Sequence, residues 1–115
     1  MSEAQAEKRG AKLGKVSAVR IIEENGDTRL FRVKVGSTYT IGRAKDVHIV
    51  LSDTDLTVSR HHAKMIVQDN YVQVVDQASK NGIGFENNPH AQEKYVEVEL
   101  YQTFFIGAAK FVVVP

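Results

Sequence analysis

Short runs of β-branched and aromatic residues, separated by turn residues at intervals of roughly ten, are the feature that most constrains the fold of this chain. Over no stretch of eleven or more positions do apolar residues keep the 3.6-residue period of a helix. In Thr28–Val35, Phe31, Val33 and Val35 share one face, which is predicted to point to the core. Asn25-Gly26, a strong hairpin signal, precedes this run. The pattern predicts an all-β protein.

About ten or eleven strands are predicted. The runs are Val16–Ile22, Thr28–Val35, Thr38–Gly42, Val47–Leu51, His62–Gln68, Tyr71–Asp76, Ile83–Phe85, Tyr95–Leu100, Phe104–Ile106 and Lys110–Val114. The polar segment Glu86–His90 is predicted to be a turn. So many strands in 115 residues indicate one β-sandwich or barrel. In such folds function usually lies on loops at one end of the sheets, here Arg43–Asp46, Ser52–Arg60 and Gln77–Gly82.

The chain contains no cysteine, which excludes a disulfide framework and a thiolate metal site. No apolar run approaches the ~20 residues that cross a bilayer, and the N-terminus lacks the apolar segment of a signal peptide. We therefore expect a protein of the cytoplasm, or of the nucleus in a eukaryote, that makes no contact with a membrane.

Residues 1–15 are polar and contain no β-branched residue, so we predict a flexible N-terminal tail followed by one domain over residues 16–115. The tail carries a net charge of +2, which leaves −1 for the domain because the whole chain carries +1. A domain with this balance lacks the broad basic surface of a nucleic-acid binder. Any basic site must therefore be small and local.

Three predicted loops each place a cation beside small polar groups. Gly42 permits a sharp turn at the end of a strand, and Arg43 then presents a planar fork of donors suited to phosphate. Ser59-Arg60 adds a hydroxyl and a second guanidinium. Lys80-Asn81 adds an ammonium group and an amide that can bond an extended peptide backbone through its carbonyl and its NH₂ together.

The order of these motifs along an all-β chain resembles the forkhead-associated (FHA) domain family. The matching residues are Gly42-Arg43, Ile49-Val50-Leu51, Val58-Ser59-Arg60-His61-His62-Ala63 and Asp76-Gln77-Ala78-Ser79-Lys80-Asn81-Gly82. The resemblance covers about residues 16–114. It implies an eleven-stranded β-sandwich of two twisted sheets, as in SMAD-like folds, with binding loops at one end. It also implies a phosphothreonine-dependent peptide-binding or protein-binding module that recruits a phosphorylated partner in signalling.

Carried over by position, the resemblance implies that Arg43 and Ser59 contact the phosphate and that Asn81 holds the peptide main chain. Arg60 would lie beside the phosphate, with a solvated surface arginine as the alternative. Lys80 would reach the phosphate or a neighbouring acidic side chain, with solvation again the alternative. The residues expected to support the site structurally are Gly42, His62 and Gly82, and the histidine would brace the binding loops from behind.

The chain departs from the family pattern at three places. Ile83 follows Asn-Gly where the family usually has threonine, and Glu86 stands where a second asparagine is common. The segment Asp53–Thr57 is about two residues longer than the usual spacing. We therefore expect Lys80, Ile83 and Glu86 to decide which residues are preferred around the phosphothreonine.

Two other interpretations, an enzyme and a metal-binding protein, have weaker support in the sequence than a phosphopeptide-binding module. Ser59 with a neighbouring histidine and Asp76 could form a hydrolase triad, but the chain has no Gly-x-Ser-x-Gly elbow. Adjacent His61 and His62 would point to opposite faces of a strand, which suits chelation poorly. We predict that the protein is not an enzyme and uses no cofactor or metal.

The predicted partner is a protein or peptide phosphorylated on threonine by a Ser/Thr kinase, and the predicted oligomeric state is a monomer. Residues 1–15 contain no threonine, so the phosphothreonine should come from another chain. The alternative is a phosphate-independent interaction or oligomerisation scaffold built on the same fold.

Overall fold

The computed structural model describes residues 14–115, and these form eleven strands and no helix. The strands are β1 (Ala18–Ile22), β2 (Thr28–Arg32), β3 (Thr38–Gly42), β4 (Ile49–Val50), β5 (Ala63–Val67), β6 (Tyr71–Asp76), β7 (Ile83–Phe85), β8 (Asn88–Glu93), β9 (Tyr95–Glu99), β10 (Thr103–Ile106) and β11 (Ala109–Val114). No segment in this part of the chain is a helix of the length and apolar character that would cross a membrane.

The strands form two sheets. One has six strands in the order β2-β1-β11-β10-β7-β8, and the other has five in the order β4-β3-β5-β6-β9. Neighbouring strands are antiparallel except β3 and β4, which run parallel where Ile41 pairs with Ile49. The predicted eleven-stranded β-sandwich is confirmed.

The core lies between the sheets because alternate residues of each strand point inward. In β5, Ala63, Met65 and Val67 are buried while the residues between them are half-exposed. From the six-stranded sheet, Phe104 and Phe111 are fully buried and stack at a ring-centroid distance of 4.7 Å. This packing fixes the ends of the strands from which the loops emerge.

Strand β8 corrects the sequence prediction, which placed a turn over Glu86–His90. The turn is shorter, and Asn88–Glu93 pairs with β7 as an edge strand, with an irregular register between Ile83 and Phe85. Almost every residue of β8 is exposed, so the strand has no apolar alternation by which a sequence could reveal it. Pro89 fits here because an edge strand need not donate on both sides.

Strand β2 is also shorter than predicted and ends at Arg32. Val33 is buried and Phe31 packs against the core, as the alternation predicts, but Val35 is exposed. The prediction was wrong for Val35 because the chain leaves the sheet before it and turns through Gly36. Most of the predicted tail over residues 1–15 lies outside the described residues, so the tail remains a prediction.

Four connections meet at one end of the sandwich. They join β3 to β4, β4 to β5, β6 to β7 and β10 to β11. Hydrogen bonds link the other three connections to the β4–β5 connection. The three loops singled out from the sequence therefore lie together. A fourth, the short β10–β11 turn, joins them.

Replacing Phe104 with alanine should lower the free energy of unfolding by about 3–5 kcal/mol, because it leaves a cavity where two stacked rings fill the core. Urea unfolding monitored by circular dichroism measures this change. The matched control is Leu30→Ala on β2, where the side chain is 46% exposed and the expected loss is within about 0.5 kcal/mol. Equal losses in the two variants would contradict this description of the core.

Candidate functional site

Arg43 follows the end of β3. Arg43 and the next residue, Ala44, donate three hydrogen bonds to the β4–β5 loop. Its amide donates to the Ser59 carbonyl (3.2 Å), its Nε donates to the Val58 carbonyl (2.6 Å), and the next amide, Ala44, donates to the Arg60 carbonyl (3.0 Å). The Nε contact orients the guanidinium group, and none of the hydrogen bonds found within residues 14–115 uses its two terminal nitrogens. The side chain is half-buried, which restricts its rotamers.

Gly42 makes this close approach possible. A Cβ atom at this position would lie 2.0 Å from the Arg60 carbonyl oxygen and 3.1 Å from that of Ser59. Both contacts are with backbone, which cannot move aside as a flexible side chain could. Any other residue at position 42 would therefore separate Arg43 from the loop that carries Ser59.

The hydroxyl of Ser59 is held by the third loop. The amide of Lys80 donates to Ser59 Oγ at 3.0 Å, so the oxygen already accepts one hydrogen bond. A serine hydroxyl has a single proton to give, and this contact does not use it. Ser59 can therefore donate that proton to an anionic oxygen placed beside it.

The third loop is shaped by a buried carboxylate. Asp76, whose side chain is 1% exposed, accepts from the amide of Ser79 (3.1 Å) and from its hydroxyl, and Ser79 Oγ in turn accepts from the amide of Gly82 (2.8 Å). Lys94 Nζ lies 3.5 Å from the same carboxylate. These contacts hold the turn that presents Lys80 and Asn81.

Gly82 closes this turn in a backbone conformation that favours glycine, with φ at +70°. A Cβ atom here would also lie 2.7 Å from the backbone of Gln92 on β8. The side chain of Asn81 crosses to the β4–β5 loop, where its Nδ2 donates to the Thr57 carbonyl at 2.9 Å. Since Nδ2 carries two protons, one N–H and the carbonyl oxygen Oδ1 are still available to bond a ligand backbone.

His62 lies behind the loops and connects two of them. Its imidazole is fully buried; Nδ1 accepts from the amide of Ser59 at 2.9 Å, so Nε2 carries the proton and donates to the Gly82 carbonyl at 2.8 Å. The Ser59 contact is with the amide and not with the hydroxyl. The pair is therefore not the Ser-His arrangement of a hydrolase, in which the imidazole bonds the serine hydroxyl.

Burial lowers the pKa of His62 below its usual value of 6.5, and this effect outweighs the Gly82 hydrogen bond and the carboxylates of Asp76 and Asp55, which act in the opposite direction. The neutral ring is the form that both hydrogen bonds require. A doubly protonated ring would direct an N–H at the Ser59 amide, which is itself a donor.

Three cations, Arg43, Arg60 and Lys80, lie on the loops that meet at Ser59. Within residues 14–115 the Lys or Arg ion pairs are Lys15–Asp69 and Lys94–Asp76, so none of the three cations is neutralised by a carboxylate there. The His61–Asp46 contact, at 2.9 Å, instead ties the β3–β4 loop to the residue after Arg60. The site thus combines uncompensated positive charge with directed donors, which suits a compact anion.

A cavity of about 190 Å³ opens beside Asn81. Its lining comprises Thr57, Asn81, Gly82, Pro89, His90, Gln92, Gly107 and Ala108. The residues from β8 and from the β10–β11 turn could not be found from the sequence, since β8 carries no apolar pattern and the turn carries no charged residue. The position of Pro89–Gln92 beside the loops follows only from the pairing of β8 with β7.

Ile83 and Glu86, which the sequence predicts to decide ligand preference, do not lie on the surface formed by the four loops. Ile83 is fully buried in the core, where no ligand can touch it. Glu86 follows β7 at the opposite end of the strand from Asn81, and its amide donates to the Thr103 carbonyl at the start of β10. Lys80 is exposed on the β6–β7 loop, so its position is compatible with contact to a ligand.

The two-sheet fold and the four-loop end define a domain of the FHA type. The chain belongs to the family described as the inner membrane component of T3SS, cytoplasmic domain, whose model matches residues 20–115. No curated protein sequence matches closely enough to count as a relative.

Solved structures agree with this assignment. The FHA domain of the CT664 protein from Chlamydia trachomatis is 29% identical, with a TM-score of 0.74 over 87% of this chain and 97% of that one. An FHA domain solved in a study of phosphothreonine-dependent interactions is 23% identical, with a TM-score of 0.67 over 86% and 97% of the two chains. The yeast Dun1 FHA domain, solved with a doubly phosphorylated peptide, is 19% identical, with a TM-score of 0.65 over 91% and 77%. The last two structures are similar to this chain in fold alone.

The stability of the domain should fall as the pH is lowered from 7.5 to 5.5. Because the pKa of His62 is lowered in the folded protein, the unfolded chain binds a proton more readily, so the contribution of the neutral ring is complete above pH 6.5 and is lost as the pH falls below it. Urea midpoints across this range measure the effect. In His62→Gln the dependence should be flatter, whereas an unchanged slope would show that another group is responsible.

Proposed function

We propose that the domain binds proteins or peptides through a phosphorylated threonine and does so without catalysing a reaction. The observation that carries this proposal is that three cations without carboxylate partners in residues 14–115 lie on the loops that meet at Ser59, whose hydroxyl proton is free to be donated. A phosphothreonine carries roughly −1.5 to −2 charges at pH 7 and three strong acceptor oxygens, which match this set in charge and in donors.

In the proposed complex Arg43 and Ser59 bond the phosphate directly. The contact from Arg43 Nε to the Val58 carbonyl fixes the guanidinium plane, so its terminal N–H groups can bond two phosphate oxygens at once. Ser59 gives the one proton that the Lys80 amide leaves unused. Arg60 and Lys80 are exposed and add charge from the rim, where solvent weakens their effect.

Asn81 supplies the second half of recognition. Its remaining N–H and its Oδ1 can bond a carbonyl and an amide of the ligand main chain, which fixes an extended peptide regardless of its side chains. The cavity beside Asn81 then receives a side chain of the ligand some way from the phosphothreonine. It is lined by small and polar residues. It therefore favours a ligand side chain of modest size and does not require that side chain to be negatively charged.

The comparisons support this proposal. The yeast Dun1 FHA domain, which has the same fold, was solved with a doubly phosphorylated peptide. A second FHA domain was solved in a study of phosphothreonine-dependent interactions. The family description is of a cytoplasmic domain, which favours a cytoplasmic location. The ligand is therefore proposed to be a cytoplasmic protein phosphorylated by a Ser/Thr kinase.

Replacing Arg43 with alanine should weaken the binding of a phosphothreonine peptide by about 2–5 kcal/mol, since one charged partner of a half-buried pair is lost. Arg43→Lys should fail almost as badly, because a point charge cannot replace two parallel N–H donors. Isothermal titration of the wild type and variants with a peptide selected from an oriented phosphothreonine library measures the change. Arg20→Ala, an exposed arginine on β1, is the matched control and should bind as the wild type does.

The same titrations with unphosphorylated and phosphoserine versions of the peptide complete the test. The unphosphorylated peptide should not bind, and the phosphoserine peptide should bind more weakly, by at least the ~0.8 kcal/mol of one buried methyl group. Equal binding of all three versions, unaffected by Arg43→Ala, would instead identify a phosphate-independent scaffold.

A further inference from the structure

We propose that Thr57 is a positioning residue of the recognition site: its main-chain carbonyl sets the orientation of the Asn81 amide, and its hydroxyl locks that carbonyl in place. The inference rests on the proposed function, since it concerns how Asn81 is prepared for a ligand backbone. Thr57 lies in the segment Asp53–Thr57 that is longer than the usual family spacing, and it is the point where three of the four loops touch.

The amide of asparagine is symmetric in shape, so a rotation by 180° about its last bond exchanges a donor for an acceptor. The Thr57 carbonyl removes this ambiguity because it can only accept. It bonds Nδ2 of Asn81 at 2.9 Å, and this directs Oδ1 to the other side of the amide. A ligand amide then meets an acceptor without any cost of turning the side chain.

The Thr57 carbonyl is held by contacts of the same residue. Its amide donates to Asp55 Oδ1 at 3.1 Å, its hydroxyl donates to the same oxygen, and that hydroxyl accepts from the amide of Ala108 at 3.0 Å. Asp55 is itself buried, at 6% exposed, and the amide of Val58 donates to the Asp55 carbonyl at 3.1 Å. The turn around Thr57 is therefore bonded on both its main chain and its side chain.

These contacts also distinguish a positioning role of Thr57 from direct contact between its hydroxyl and the phosphate. The hydroxyl of Thr57 has one proton, and that proton is given to Asp55. None remains for an anionic oxygen, in contrast to Ser59, whose proton is unused. Thr57 therefore acts on the ligand through Asn81 and not by its own donation.

The bond to Ala108 extends the effect to the β10–β11 turn. Thr57, Asn81 and Ala108 all line the cavity beside the peptide position. Valine has the shape of threonine but carries a methyl group where Oγ1 accepts from Ala108 at 3.0 Å, a separation too short for a carbon atom and an amide nitrogen. Thr57→Val must therefore move the turn, the Thr57 backbone or both, while serine keeps every hydrogen bond.

The test is a double-mutant cycle between positions 57 and 81, measured by titration with the selected phosphothreonine peptide. Thr57→Val should weaken binding about tenfold in the wild-type background and have no further effect in an Asn81→Ala background. Thr57→Ser should restore affinity to within about twofold of the wild type. A tenfold loss that persists in Asn81→Ala, or no loss in Thr57→Val, would overturn the inference.

A second measurement needs no ligand. In the free protein the side-chain NH₂ of Asn81 should give two well-separated proton resonances, one of them slow to exchange because it is bonded to the Thr57 carbonyl. In Thr57→Val these resonances should converge and exchange faster, while in Thr57→Ser they should stay unchanged; unchanged resonances in Thr57→Val would overturn the inference. Because this readout is independent of phosphopeptide, a failure of wild-type binding would count against the proposed function while the resonances still decide the role of Thr57.

Discussion

The arrangement of the four loops depends on one buried imidazole. His62 accepts from the Ser59 amide and donates to the Gly82 carbonyl, and these two loops hold the residues proposed to meet the phosphate and the ligand backbone. A side chain that donates at one end and accepts at the other, with a rigid ring between, sets the spacing of the two loops. Lysine or arginine could not do this, because neither can accept. The imidazole thus holds the Ser59 amide and the Gly82 carbonyl at a fixed distance, together with the direct bonds from Lys80 to Ser59 and from Asn81 to Thr57.

Around this fixed spacing, hydrogen bonds connect the loops directly to one another. Arg43 is tied to Val58 and Ser59, and Lys80 to Ser59, so the groups proposed to bind phosphate form a single connected unit. Their positions are set before a ligand arrives, which reduces the ordering cost of association. The uncompensated charge that results is unfavourable for the free domain and favourable for the complex. An anion relieves this repulsion, whereas a neutral peptide cannot.

The sequence predicts the all-β class and the three loops that meet at one end of the sandwich, because both depend on local signals. Alternation in β5 and β6 marks strands that bury one face, and Gly42-Arg43 or Asn81-Gly82 marks turns with particular chemistry. Prediction from sequence fails where the structure depends only on the pairing of strands. Strand β8 has no buried face, so the sequence predicts a turn over Glu86–His90. Ile83, which the sequence predicts to influence ligand preference, is buried in the core. The role of Thr57 was likewise hidden, since it arises from contacts with residues 24 and 51 positions away.

The pairing of the first and last strands has a mechanical consequence. β1 and β11 are antiparallel neighbours, with Ala18 beside Val114 at the end of the sandwich opposite the binding loops. A force pulling on both strands from that end would open their hydrogen bonds one after another, as in a zipper, and would not load them all together in shear. The first bonds to break, such as that from the Ser17 amide to the Val114 carbonyl, are the farthest from Ser59 and Asn81. Under such a force the domain would therefore open first at the end that carries Ala18 and Val114, and the four loops at the other end would be among the last parts to be loaded.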